Sequence, residues 1–130
     1  MSKSKNNVID IFLPEKALRK QIMSIATDST PLEEAKNPET CNVFALYKLL
    51  ADPEQTQLMA QKYAAGGYGY GHAKQALFEL IVDKFDAQRA SFNQLVHDPK
   101  KLDELLAVGA AKAQEVAQGV IHRVREHLGY

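Results

Sequence analysis

Residues 98–128 read DPKKLDELLAVGAAKAQEVAQGVIHRVREHL, and this stretch decides the fold class. Asp98 stands as a helix cap and Pro99 falls in the first turn, where a missing N–H costs nothing. Leu102, Leu106, Ala113, Val116, Val120, Val124 and Leu128 then recur at helical spacing, which predicts one long helix with a single apolar stripe. Upstream, a second long helix is predicted from about His72 to His97, its stripe formed by Ala73, Leu77, Leu80, Ile81, Phe85, Phe92 and Leu95. Burial of each large apolar member contributes roughly 1.5–3 kcal/mol. The two stripes are therefore expected to face each other or the other helices.

Working outward, Asp52-Pro53-Glu54 reads as cap, first turn and favourable dipole charge for a helix carrying Leu58, Met59 and Tyr63, closed by Gly66-Gly67. Before it, Val43, Leu46, Tyr47 and Leu50 predict a helix from about Cys41 to Ala51. Leu13-Pro14-Glu15 opens the first helix, with Leu18, Ile22 and Ile25 on one face and Lys16, Arg19 and Lys20 elsewhere, ending near Thr27. Residues 28–38 hold two prolines and no periodicity, and read as a loop. No run alternates long enough for a sheet, and any strand is confined to about Val8 to Phe12. The fold class is all-α: a bundle of about five helices, the last two long, preceded by an irregular loop.

With 130 residues and 45% hydrophobic content the chain can bury one real core. Sixteen basic residues balance sixteen acidic ones, which removes any bulk electrostatic drive toward nucleic acid and confines RNA contact to a local patch. The single cysteine, Cys41, excludes an internal disulfide, fits a reducing compartment and reads as a small buried or half-buried residue. No apolar run approaches the roughly 18 residues of a membrane span, so no membrane partner is expected and the localisation reads as cytoplasmic.

His122 and His127 lie about 140° apart on a helix and have no cysteine or carboxylate at ligand spacing, so no metal site is expected. The turn Tyr68-Gly69-Tyr70-Gly71 permits close backbone approach, but no strand precedes it and no Gly-Lys-Ser/Thr ending follows, unlike the usual phosphate loops. At the other end, Met1-Ser2-Lys3-Ser4-Lys5-Asn6-Asn7 gathers hydroxyls, amides and two ammonium groups suited to phosphate. On composition alone a solvated N-terminal tail is the commoner reading.

Taken in order, these pieces resemble the C-terminal part of the tryptophanyl-tRNA synthetase family. Met1-Ser2-Lys3-Ser4 resembles four-fifths of the Lys-Met-Ser-Lys-Ser signature of class I aminoacyl-tRNA synthetases, whose first lysine would lie just before Met1. Thr27-Asp28-Ser29, the Asn42-Val43-Phe44-Ala45-Leu46-Tyr47 helix, Gly69-Tyr70-Gly71-His72-Ala73-Lys74 and the helix core Gly109-Ala110-Ala111-Lys112-Ala113 follow in the family's order. Each is weak alone; four in order at compatible spacing are specific. The tyrosine enzymes share the lysine-serine loop but look less like the last two motifs.

The resemblance implies residues 1–13 as a remnant of the ATP-site loop with its connector, and 14–130 as an α-helical anticodon-binding domain. It implies an intact enzyme that activates tryptophan with ATP and magnesium through tryptophanyl-adenylate, then charges tRNA-Trp. By that carry-over Lys3 is the catalytic residue, and Met1, Ser2, Lys3 and Ser4 contact ATP. The nucleotide-binding Rossmann half and its His-Ile-Gly-His-like signature have no counterpart here, so no adenylation activity and no tightly bound cofactor are expected of this chain alone. The intact enzyme is expected to be a homodimer and this chain a monomer.

Anticodon recognition needs bases stacked on aromatic or guanidinium planes and lysines on phosphates. The candidates are Arg89, Lys112, Arg123, Arg125, Tyr68 and Tyr70, each weighed against a solvated helix face or packing over the glycines. Lys74 reads as a surface residue in a first turn. The alternative from another class is a non-catalytic helical interaction or RNA-binding module.

Overall fold

The computed structural model describes residues 8–129. Met1, Ser2, Lys3 and Ser4, on which the ATP-site expectations fall, lie outside the described residues. Those described form six α-helices and one 3-10 turn, without a strand. Val8 to Phe12, the one stretch left open for a strand, is irregular and turns at Ile11 and Phe12. By packing, the chain divides into two compact units, Met1–Arg89 and Ala90–Tyr130.

In the first unit, α1 (Glu15–Met23) follows Pro14 and stops four residues before the expected Thr27. The Ser24 hydroxyl donates to the Gln21 carbonyl at 2.7 Å and its N–H to the Lys20 carbonyl, which closes the last turn early. A 3-10 turn (Pro38–Thr40) leads into α2 (Asn42–Leu50), and Lys84 Nζ donates to the Leu50 carbonyl at its end. The cap of α3 (Pro53–Ala65) is a full capping box: Asp52 accepts from the Gln55 N–H at 2.7 Å, and the Gln55 side chain accepts from Asp52 N–H at 3.1 Å. Gly66 and Gly67 then turn with φ of 73° each, a conformation that only glycine adopts freely.

The expected His72–His97 helix is two helices, α4 (Tyr70–Lys84) and α5 (Asp86–His97). The break is Phe85, with φ −107° and ψ 15°, and its half-buried ring packs against the first unit's core. α4 packs on both α1 and α2, and α3 packs on α2. Fully buried Leu18, Ile22, Val43 and Leu77 meet in the centre with Tyr63, each contributing roughly 1.5–3 kcal/mol. Cys41 caps α2 and is buried, as expected.

In the second unit, α6 (Pro99–Leu128) starts as expected, Asp98 accepting from the Lys101 N–H at 3.1 Å. Its apolar stripe is not buried: Val116 is 70% exposed and Leu128 67%. That overturns the burial expected of the α6 stripe, whereas Ala73, Leu77 and Ile81 of the other stripe are buried. The physical reason lies within the unit, where the only other described helical residues are 90–97 of α5, too few to form a second layer over a 30-residue helix.

Candidate nucleic-acid interface

The turn between α3 and α4 is organised around one aromatic ring. Tyr63 is buried, and the rings of Phe44, Tyr68 and Tyr70 surround it with centroids 5.7, 6.0 and 6.1 Å away. Its hydroxyl shares a hydrogen bond with Cys41 Sγ at 3.4 Å. Burial, and then that bond, push the phenol far above its ordinary pKa, so Tyr63 is a neutral structural hub. Tyr68 and Tyr70, expected to meet RNA, are therefore brought together, but each also packs on Tyr63, Tyr68 tilted and Tyr70 edge-on.

Tyr70 also ties two of the recognised sequence pieces to each other. Its hydroxyl donates to Asp28 Oδ1 at 2.7 Å, and the same oxygen accepts from the Thr30 N–H at 2.9 Å. These bonds hold the exposed Asp28 carboxyl below its ordinary pKa, the Tyr70 bond most of all. Desolvation, then the Asp28 bond, push Tyr70 up to about 12. The loop that presents Asp28 is fixed from inside by Lys36, a residue with no place among the sequence candidates. Lys36 is only 4% exposed, and its ammonium donates to the carbonyls of Pro31, Leu32 and Glu34 at 2.7, 3.3 and 3.0 Å. It also stands 5.5 Å from the Tyr70 ring centroid.

The charged candidates separate by role. Arg89 donates to the carbonyls of Ile11 and Leu13, the latter at 3.1 Å, and so pins the segment ahead of α1. Lys74, expected on the surface, is half-buried and donates to the Met23 carbonyl at 3.1 Å, closing the end of α1. Lys112, Arg123 and Arg125 are exposed on α6. At 100° and 1.5 Å per residue, Lys112 and Arg123 fall within about 20° of one face and about 16 Å apart, whereas Arg125 faces the other way. Contrary to the expectation that His122 has no carboxylate at such spacing, it pairs with Glu126 at 3.3 Å across one turn.

Two hollows flank the tyrosine turn. One, of about 320 Å³, is lined by Ala26, Thr27, Asp28, Thr40, Cys41 and Asn42, and the Asn42 amide bridges it by donating to the Ala26 carbonyl at 3.3 Å. The other, of about 450 Å³, lies between α1 and the start of α4, where Arg19, His72 and Gln75 meet the glycines of the turn. Arg19 Nε donates to Gln75 Oε1 at 2.9 Å, a pair 56 residues apart that no local sequence signal announces. Among the described residues no group of three His, Cys, Asp or Glu side chains is placed to hold a metal ion, and no helix is long and apolar enough to cross a membrane.

No protein-family model matches the chain. Tryptophan–tRNA ligase of Campylobacter jejuni (strain RM1221) is 45% identical over 129 residues, which is 99% of this chain and 40% of the relative. The ligase of Rhodopirellula baltica is 44% identical over the same length and share. Among solved structures, tryptophanyl-tRNA synthetase from C. jejuni matches with a TM-score of 0.96 at 45% identity, covering 100% of this chain and 42% of that one. A second structure of the same enzyme, described as complexed with ADP and tryptophane, matches with a TM-score of 0.96 as well. The chain thus spans about 40% of the length of the relatives it matches.

Proposed function

We propose that this chain, a homologue of part of tryptophan–tRNA ligase along its whole length, is that enzyme's C-terminal, anticodon-binding region. The observation that carries the reading is the 45% identity over 129 residues together with a TM-score of 0.96 over the complete chain. In this reading the intact enzyme joins tryptophan to tRNA-Trp, with ATP consumed through tryptophanyl-adenylate and pyrophosphate released. Lys3 stabilises charge on the departing phosphates, with Met1, Ser2 and Ser4 beside it. The tyrosine turn and the Lys112–Arg123 face of α6 are the surfaces offered to RNA.

The chain alone gives no ATP–pyrophosphate exchange in this reading, because nothing among the described residues forms a sheet that would hold adenine or tryptophan. Competition binding tests the reading: labelled tRNA-Trp is displaced from the chain by unlabelled tRNA-Trp and poorly by a tRNA of another specificity. Equal displacement by both, at several salt concentrations, refutes it.

A further inference from the structure

We propose that the groove between α1 and the start of α4 is a subsite for one unstacked nucleotide of single-stranded RNA, with Arg19 on its phosphate and His72 against its base. The proposal rests on the RNA-binding reading above and assigns it a place that the charge pattern of the sequence does not mark.

The groove is a shallow one open to solvent, of about 450 Å³, and Arg19, Met23, Gly69, Gly71, His72 and Gln75 line it. No carboxylate is among them. The arginine is held in place by an amide, and among the described residues it makes no ion pair. Its Nε donates to Gln75 Oε1 at 2.9 Å, and the Gln75 amide is oriented in turn by donating to Glu79 Oε1 at 2.9 Å. Among the described residues the two Nη groups make no hydrogen bond, so they keep the paired donors that match a phosphate. Arg89 differs, with Nη1 already occupied by backbone carbonyls.

The base is served by the other wall. His72 is exposed and its ring lies on Tyr68, centroids 5.6 Å apart at 32°, so an imidazole backed by a phenol is available as a stacking surface. Two glycines and Met23 complete the lining between these walls. Gly71 has open space where a Cβ would stand, and a Cβ on Gly69 would press on Leu32 Cδ1 at 3.0 Å. The start of α4 lacks a side-chain cap, so the Tyr70 and Gly71 amides of its first turn remain donors beside the groove. A single planar ring with one phosphate fits this arrangement. A duplex, whose bases are stacked and paired, offers no such ring.

The test uses the whole 130-residue chain, ¹⁵N-labelled, with a tRNA-Trp anticodon stem-loop as the RNA probe and AMP and inorganic phosphate as separate probes. RNA is expected to shift the amides of Gly69, Gly71 and His72 and the Gln75 side-chain amide. Arg19→Gln is expected to weaken RNA binding about tenfold and to reduce the slope of log affinity against log salt by about one. His72→Ala should weaken binding severalfold with the salt slope unchanged. Both positions are exposed, so both variants should fold, and their melting curves serve as the control. RNA binding that is unchanged in both variants, with the groove amides unmoved, overturns the subsite and leaves the RNA-binding reading standing. Groove amides that saturate with AMP or phosphate, in a chain that binds no RNA, make this a free-nucleotide site and overturn both. No binding of any probe likewise overturns both.

Discussion

Replacing Lys36 by methionine removes the buried ammonium and keeps an unbranched stem of nearly the same reach. The ammonium serves three carbonyls, but the Leu32 carbonyl also accepts from the Gly67 N–H at 2.9 Å and keeps that donor. The Pro31 and Glu34 carbonyls lose theirs. Each loss costs about 1–1.5 kcal/mol once partial rehydration of a surface loop is counted, so Lys36→Met should destabilise the first unit by about 2–3 kcal/mol. For a unit of this size that lowers Tm by roughly 8–24 °C. Near-ultraviolet circular dichroism is the appropriate probe, because Tyr47, Tyr63, Tyr68 and Tyr70 all lie in the first unit and report its packing. Lys62→Met is the control: Lys62 is exposed and only approaches the Tyr68 ring, at 5.5 Å from its centroid, so its loss should change stability by less than about 0.5 kcal/mol. A Lys36→Met protein that melts within about 2 °C of the parent, or a Lys62→Met protein that is equally damaged, would refute the reasoning.

Three further outcomes are expected. Gly66→Ala should destabilise well beyond Gly67→Ala, since both sit at φ +73° but only the first would place its Cβ 2.4 Å from a backbone oxygen, that of Glu33. The second carries the left-handed penalty alone, about 1–2 kcal/mol, and equal melting of the two variants would contradict this. Asp28, titrated by carbon-detected NMR, should have its midpoint below the ordinary 3.8, and Tyr70→Phe should raise it. A carboxyl whose folded pKa is depressed contributes stability above its unfolded pKa and loses it as pH falls through the folded value, so the variant should lose less on acidification; an unmoved midpoint removes the Tyr70 bond as the cause. Leu77→Ala in the core should cost about 2–5 kcal/mol, against less than about 0.5 for Val116→Ala on α6, and comparable unfolding midpoints would mean that the core has been misplaced.

Much of the architecture is written locally in this chain. Asp52-Pro53 with Gln55, and Asp98-Pro99 with Lys101, are helix starts whose chemistry lies within four residues, and the structure makes those bonds. The paired glycines after α3 are equally local, because only they accept the backbone angles found there. The break at Phe85 was not legible: no glycine or proline marks it, and it follows from where one ring finds the core. Lys36 follows two glutamates and an alanine and reads as surface charge, since its partners are carbonyls, which every residue carries. Arg19 is oriented by a glutamine 56 positions away, and Tyr68 and Tyr70 by a tyrosine on the preceding helix. The motif order identified the relatives, whereas the side-chain network that joins the motifs to one another is tertiary.

The measurement that bears most directly on the central claim is binding of the chain to a tRNA-Trp anticodon stem-loop, against the same stem-loop with its three anticodon bases changed, over a salt series. The account predicts weaker binding to the altered loop by roughly 1–3 kcal/mol for a lost base contact, with parallel salt dependence for the two RNAs. Equal affinity for both loops at every salt concentration would contradict anticodon recognition by this chain.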